Sequence, residues 1–415
     1  MITVLHLLKL RLMGSRAGLN FIAENERISR IRAARAKAEG TAPLFGLTLL
    51  VKDNIDVQGL HTKAGSKALA ENLAKEDAPV IANLRAHGAV ILGKSNMTEL
   101  ANYLSKGMPA GYSSAGGQVK HSVSRRLSPS GSSSGSAVAV ACGAVNAAIG
   151  TDTSFSVIAC AQANGICGLK PPAGTLSGRG IVPIARTLDS AGVLARDMTA
   201  ALRVYYAMKD GSGDMPPLAP ACARLAVNTA NADQVSDEQT AFYKSAVRTL
   251  ENSGIAITEL CSGPVKEQAV IMRCEFREQL EQYLAEADSE MKTAEQLAAF
   301  YRAHPKYMKY GISHLEGALN AKGGTQEKEY LDAMAARERV REEQLAALAP
   351  YDAVLVTGPT NIMHFCGLPS VCVAAGQKNS RGVHQCLMLY GADEERLYRA
   401  ALYLENLLKQ KNSGL

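Results

Sequence analysis

The feature that most constrains this 415-residue chain is a segment, residues 128–171, in which two hydroxyl-rich loops flank one apolar run. Residues 130–136, SGSSSGS, form a serine- and glycine-rich loop, and residues 150–156, GTDTSFS, form a second polar turn. The Ala/Val-rich run between them, residues 137–149, predicts a buried helix. The two loops can meet at one end of such a helix only if the chain folds back on itself.

A lysine upstream offers a third part of a possible site. Lys52 follows the apolar run FGLTLLV (45–51), which is typical of a buried strand, and functional loops often emerge at strand ends. Cleavage of an amide needs a nucleophile, a base, an acid for the leaving nitrogen and donors for the oxyanion. A lysine acts as a base only when neutral, so burial must lower its pKa from about 10.4 towards about 7–8. A second serine, from the run GSSSG (131–135), would relay the proton to the lysine.

Strand and helix patterns alternate along the chain, which favours an α/β layer fold. The patterns predict helices over residues 19–39, 79–87, 137–149 and 237–253, a mostly helical, charged region over 266–348, and a final helix from about 393. They predict strands over residues 45–51, 88–93, 224–228, 255–260, 351–357, 368–375 and 384–390.

Composition argues against several classes of function. The net charge of +6 is spread over 45 basic and 39 acidic residues, and tryptophan is absent, so nucleic-acid binding is not expected. The nine cysteines are scattered without a C-x-x-C pair, so we expect no metal site and a reducing compartment. The N-terminal segment MITVLHLLKLRLMGSRA is apolar but broken by charged residues, and no later segment reaches membrane-spanning length. A cytoplasmic protein without a membrane partner is therefore expected.

The ordered motifs of the chain resemble those of the amidase signature family. GLTLLVKDNID, GKSNMTELAN, SGSSSGSA, GTDTSFS, GLKP and RGIVPIARTLDSAGVLARD occur in the family's order, which is more specific than any single motif. GYSSAGGQ followed by SPSGSSSGSAVAVA is most similar to the peptide-amidase-like branch. The resemblance is strong over residues 43–205, weaker over 206–350, and returns over 351–415 in YDAVLVTGPT and CGLPS. It implies one amidase domain over residues 1–415, with a central mixed β-sheet covered by helices on both faces and no cofactor.

Carried over by position, the resemblance implies a catalytic set of Lys52, Ser132 and Ser156. The family's catalytic lysine falls on Lys52, its bridging serine, reached through a cis peptide bond, on Ser132, and its acyl-forming serine on Ser156. The backbone N–H groups of the turn formed by Thr153, Ser154 and Phe155 would make the oxyanion hole.

The turn itself departs from the family pattern. Asp152 is expected to hold the turn by accepting hydrogen bonds from its backbone N–H groups rather than to act as a base. The family usually has glycine immediately before the nucleophile, which allows a tight turn and close approach of a substrate, whereas Ser154 and Phe155 stand here. The Phe155 ring must either turn away and line the acyl pocket or block the oxyanion hole.

Two further departures lie around the site. Residues 157–160, VIAC, stand where Ile-Arg-x-Pro is usual. TGPT passes directly to NIMHFCGLPS, where relatives carry a longer insertion that helps to wall the pocket. The shorter connection predicts a more open site.

Three functions remain open at this point. The first is hydrolysis of a linear carboxamide, either a small acyl amide or the C-terminal amide of a peptide, through an acyl-serine intermediate. The second is the glutaminase subunit of a tRNA-dependent amidotransferase, although the serine loop matches the peptide-amidase branch better. The third, motivated by Phe155, is a non-catalytic amidase fold that binds amides.

Overall fold

A computed structural model of the chain describes residues 18–37, 40 and 42–412, and the N-terminal segment 1–17 discussed above lies outside these residues. Thirteen strands are formed by the described residues. In chain order they are β1 Ile22–Asn25, β2 Thr48–Lys52, β3 Val90–Ser95, β4 Tyr112–Ser113, β5 Gly117–Gln118, β6 Ala147–Asp152, β7 Cys167–Lys170, β8 Ser190–Ala195, β9 Arg224–Asn228, β10 Ala256–Leu260, β11 Ala353–Val356, β12 Ser370–Lys378 and β13 His384–Tyr390.

Twelve α-helices connect these strands within the described residues. They are α1 Ile28–Lys37, α2 Pro79–Ala86, α3 Ser134–Ala141, α4 Ile158–Asn164, α5 Met198–Met208, α6 Asp237–Asn252, α7 Glu267–Glu286, α8 Ala294–Ala303, α9 Ser313–Asn320, α10 Lys328–Leu348, α11 Ile362–Phe365 and α12 Glu394–Asn412. None of these helices is long and apolar enough to cross a bilayer.

Eleven of the strands form one mixed sheet, in the order β1-β3-β2-β6-β8-β7-β12-β13-β11-β9-β10. β2 runs parallel to both β3 and β6, and β9 runs parallel to both β11 and β10. The remaining neighbours in the sheet are antiparallel. Strands from the first, middle and last parts of the chain therefore share one hydrogen-bonded sheet.

Both faces of the sheet are covered, as the side-chain alternation of β11 shows. Ala353 and Leu355 join one hydrophobic core, and the alternate residues Val354 and Val356 join a second. The first core contains residues of α3, α4, α5, α6 and α12, and the second contains residues of α7, α8 and α9. The predicted architecture, a mixed sheet with helices on both faces, is confirmed.

Two predicted helices differ from the observed elements. Residues 137–149 do not form one helix, because α3 ends at Ala141 and β6 begins at Ala147. Within residues 19–39 the chain first forms β1 and only then α1. The predicted strands over 45–51, 88–93, 224–228, 255–260, 351–357, 368–375 and 384–390 are confirmed to within a few residues, as are the helices over 79–87 and 237–253.

The site depends on one consequence of this topology. Because β2 and β6 are parallel neighbours, their carboxyl ends lie side by side at the same edge of the sheet. Lys52 is the last residue of β2, and Thr151 and Asp152 are the last two of β6. Polar groups that are distant in sequence are thereby brought into contact.

Candidate active site

Lys52 is fully buried at the carboxyl end of β2. Its Nζ donates to Ser132 Oγ at 2.7 Å, to Thr151 Oγ1 at 2.7 Å and to the Thr151 carbonyl at 3.1 Å. Burial lowers the pKa of Lys52 from 10.5 to about 7, although nearby Cys160 and Asp152 raise it in part. The amine is thus available as a base near neutral pH.

Ser132 connects the lysine to the second loop. It lies in the turn before α3 and follows a cis peptide bond from Gly131. Gly131 packs so closely that a Cβ there would lie 2.5 Å from Thr98 Oγ1, and the backbone N–H of Thr98 donates to the Ser132 carbonyl. The Oγ atoms of Ser132 and Ser156 are 3.1 Å apart. A continuous path of hydrogen bonds therefore runs from Ser156 through Ser132 to Lys52.

Ser156 ends the turn that follows β6 and is 7% exposed, whereas Lys52 and Ser132 are fully buried. The backbone N–H groups of Thr153, Ser154, Phe155 and Ser156 donate to no acceptor within the described residues. Unpaired N–H groups beside a serine hydroxyl are an arrangement that can stabilise an oxyanion.

Asp152 anchors the far side of this turn. Its Oδ2 accepts the backbone N–H groups of Val157 at 2.7 Å and Ile158 at 3.2 Å, at the beginning of α4. Burial opposes ionisation of Asp152, but His364, Lys170 and the N–H of Val157 outweigh it and lower its pKa to about 2. Asp152 holds the turn through N–H groups, as predicted.

Phe155 turns its ring away from the hydroxyl of Ser156. Its φ of 71° is in the left-handed region, where glycine is usual, and its ring centroid lies 4.1 Å from that of His364. His364 is fully buried, and its Nδ1 is 3.2 Å from Asp152 Oδ1. Phe155 is not among the residues that line the cavity at Ser156. Of the two alternatives posed by the sequence, the ring turns away, but it packs on His364 instead of lining the pocket.

A cavity of about 470 Å³ opens beside Ser154 and Ser156. Its opposite wall comes from α7, through Met272 and Arg273, and from α9, including His314. The mostly helical region 266–348 therefore forms this wall of the pocket. The short connection after TGPT forms α11 and places His364 behind the turn.

A smaller cavity of about 140 Å³ lies near Thr153 and is lined by Asn54, Thr151 and Asp189, among others. Asn54 Nδ2 donates to Thr151 Oγ1 at 3.1 Å, and Asp189 Oδ1 accepts from Thr153 Oγ1 at 2.5 Å. Burial raises the pKa of Asp189 to about 7, so this carboxyl is protonated in part near neutral pH.

The structure thus brings together all three predicted side chains and the predicted turn, and adds residues that sequence reasoning missed. Thr151 had a signal in the sequence, because it belongs to the polar run 150–156 and lies at the end of a strand. His364 and Gln268 had no such signal, because each reaches the turn from a distant segment. Gln268 Nε2 donates to the Thr153 carbonyl at 3.2 Å. Among the described residues, no three His, Cys, Asp or Glu side chains converge as a metal site would require.

Comparisons with known proteins bear on this geometry. A family model described as Amidase matches residues 18–365. The chain is 28% identical over 361 residues to a probable amidase of Arabidopsis thaliana, covering 80% of this chain and 70% of that protein. It is 42% identical over 174 residues to a glutamyl-tRNA(Gln) amidotransferase subunit of Symbiobacterium thermophilum, covering 41% of this chain and 35% of that protein. The chain spans between 31% and 70% of the length of curated relatives such as these.

Among solved structures, native peptide amidase from Stenotrophomonas maltophilia superposes with a TM-score of 0.87 at 26% identity. The superposition covers 98% of this chain and 92% of the peptide amidase. The fold is therefore shared over nearly the whole length of both chains.

Proposed function

The chain belongs to the amidase family, and from this membership we propose that it hydrolyses a linear carboxamide through an acyl-serine intermediate on Ser156. The observation that carries the proposal is the path from Ser156 Oγ to Ser132 Oγ, at 3.1 Å, and on to Lys52 Nζ, at 2.7 Å. The lowered pKa of Lys52, about 7, supplies the neutral amine that such a path requires.

In the first step, Ser156 Oγ attacks the carbonyl carbon of the amide. The Ser156 proton passes to Ser132 Oγ as the Ser132 proton passes to Lys52 Nζ, which leaves the lysine protonated. The carbonyl oxygen becomes an oxyanion beside the N–H groups of Thr153, Ser154 and Phe155. The C–N bond then breaks, and the leaving nitrogen takes a proton back through Ser132, releasing ammonia or an amine.

In the second step, water hydrolyses the ester on Ser156. Neutral Lys52, acting through Ser132, accepts a proton from water, and the hydroxide adds to the acyl carbon. The bond to Ser156 Oγ then breaks as that oxygen regains the proton. The products are a carboxylic acid and the free serine, so the net reaction consumes one water for each amide.

The pocket suits an acyl group that carries further polar atoms. Arg273, paired with Glu329 at 2.5 Å, is the charged residue of the wall opposite Ser156, and apolar Met272 lies beside it. The structural match to peptide amidase supports a C-terminal peptide amide or a small acyl amide as substrate. We further propose a cytoplasmic location, because the scattered, mostly buried thiols suit a reducing compartment.

The test is labelling of the intact protein with a fluorophosphonate, followed by peptide mapping. We expect a single adduct on Ser156, loss of the adduct in Ser156→Ala, and hydrolysis in a screen of primary amides. Folded protein that takes up no label and cleaves no amide would contradict the proposal and favour the non-catalytic alternative.

Sequence identity to the amidotransferase protein favours a second candidate, a glutaminase that delivers ammonia to a partner protein. This candidate predicts glutamine as the preferred substrate and stable co-purification with a partner protein. Hydrolysis of peptide amides by the isolated chain, with no glutaminase activity, would exclude it.

A further inference from the structure

Thr153, the first residue of the proposed oxyanion turn, is held at two different atoms. Its side chain donates from Oγ1 to Asp189 Oδ1, and its backbone carbonyl accepts from Gln268 Nε2 at 3.2 Å. Gln268 lies near the start of α7, outside the signature motifs, and is 3% exposed. A buried glutamine thus donates a hydrogen bond to the turn that contains the proposed nucleophile.

The position of this carbonyl fixes the direction of the next N–H group. The described residues contain a single cis peptide bond, Gly131–Ser132, so the bond from Thr153 to Ser154 is trans. In a planar trans peptide the C=O and the following N–H point in opposite directions. Gln268 holds the Thr153 oxygen on its own side, and the Ser154 N–H therefore points away from Gln268. That N–H donates to no described acceptor, and Ser154 lines the cavity with Ser156.

The orientation of the Gln268 amide is itself determined by a neighbour. Asn361 Nδ2 donates to Gln268 Oε1 at 2.5 Å and to the Val265 carbonyl at 2.8 Å, while Asn361 Oδ1 accepts the Val265 N–H at 2.6 Å. Because the Asn361 amide is fixed by both backbone groups of Val265, Gln268 must present its oxygen to Asn361. The Gln268 NH₂ group is then directed to Thr153.

We propose that Gln268, oriented by Asn361, is a positioning residue that keeps the Ser154 N–H directed at the oxyanion. Without this donor the buried Thr153 carbonyl loses its partner, and the peptide unit is free to rotate and place its oxygen where the N–H is needed. The inference rests on the proposed function, because an oxyanion must form at Ser156 for the donor to matter.

The experiment measures the second-order rate of fluorophosphonate labelling at Ser156 across pH, with thermal unfolding measured in parallel. Gln268→Met keeps the length of the side chain but cannot donate, and we expect labelling to be about 10²-fold slower. The pH midpoint should stay that of the unmodified protein, because Lys52 and Ser132 are untouched. Gln282→Met, on the exposed side of the same helix, should label as fast as the unmodified protein.

Asn361→Asp keeps the acceptor for the Val265 N–H but cannot orient Gln268. We expect slower labelling in this variant, and a double variant no slower than Gln268→Met alone, because both changes act on one contact. If Gln268→Met fails to fold, the labelling rate of Asn361→Asp and its pH midpoint test the positioning role in the same way.

Unchanged labelling in folded Gln268→Met, or a loss of rate accompanied by a shifted pH midpoint, would overturn the positioning role while leaving the proposed function intact. No labelling of Ser156 in the unmodified protein would overturn the proposed function, and this inference with it.

Discussion

Lys52 determines the pH range in which the proposed relay can work. Below its pKa of about 7 the amine is protonated and cannot accept the proton that Ser156 must lose. Above that pH the amine is neutral and can accept it. We predict that kcat/KM, or the rate of fluorophosphonate labelling, rises with pH and is half-maximal near pH 7. A rate independent of pH between 5 and 9 would show that Lys52 is not the base.

Substitution of the lysine provides the matching control. Lys52→Arg retains a positive charge but stays protonated at every accessible pH, because guanidinium has a pKa above about 12. We predict a loss of labelling by a factor of about 10³ or more in Lys52→Arg and in Lys52→Met alike. Circular dichroism should show that both variants fold. Appreciable labelling of folded Lys52→Arg would contradict a proton-accepting role.

Phe155 allows a direct test of whether its ring obstructs the site. At φ 71° any side chain other than glycine costs about 1–2 kcal/mol, whereas the ring gains its contact with His364. Phe155→Ala keeps the backbone strain and loses the contact, so we predict that it is less stable than Phe155→Gly by about 1 kcal/mol in denaturant unfolding. Labelling of Phe155→Gly should resemble that of the unmodified protein. A marked rise would instead support the blocked-site alternative.

The residues that could be predicted from the sequence are those in contiguous motifs. Lys52, Ser132 and Ser156 each lie in a motif whose order along the chain identifies it, although their roles stay predictions. Gln268 and His364 contact the same turn but come from segments with no recognisable pattern, and only the folded chain shows the contact. A single glutamine or histidine in a helix carries no sequence signal of what it will face.

At the scale of elements, β6 and α4 depend on Asp152, which ends the strand and accepts the first N–H groups of the helix. Its folded pKa of about 2 is below the ordinary value of 3.8, so its stabilisation is present above about pH 4 and is lost as the pH falls towards 2. The difference corresponds to about 2 kcal/mol. We predict that Asp152→Asn lowers the free energy of unfolding by about this amount at pH 6, with the gap closing in acid.

The measurement is denaturant unfolding of both proteins between pH 6 and pH 2.5. If the free energies of unfolding of the two proteins differ by the same amount at every pH in this range, ionisation of Asp152 does not stabilise the turn. Ser154→Ala, which alters an adjacent side chain of the turn, is the control and should follow the pH dependence of the unmodified protein.

The wrong prediction of one helix over residues 137–149 has a physical origin in its alanine content. Ala147 and Ala148 begin β6, yet alanine is a strong helix former, so the run 137–149 has the local preference of one long helix. Pairing of β6 with β2 and β8 overrides that preference. By contrast, two of the four residues of β11 are valines, which favour strands, so its local preference agrees with the sheet it joins.

At the scale of the whole molecule, the last part of the chain completes the middle of the sheet. β12 pairs with β7, β13 pairs with β12 and β11, and β11 pairs with β9, so residues 351–415 connect the two halves of the strand order. These strands bury apolar side chains on both faces, including Val371 and Tyr390. The connection between β11 and β12 also places His364 against Phe155, in the turn that precedes Ser156.

We therefore predict that a chain ending at residue 350 does not fold cooperatively, although it keeps every residue of the proposed catalytic set. Without β12, β13 and β11, which lie between them, β7 would become an edge strand and the pair β9-β10 would be detached from the sheet. Both would expose apolar surface that favours aggregation. The control lacks only residues 413–415, which follow α12, and should unfold in a single transition like the full chain. Near-ultraviolet circular dichroism and denaturant titration distinguish the two outcomes. A truncated chain that unfolds cooperatively and still labels at Ser156 would show that the first 350 residues carry the site without the central strands.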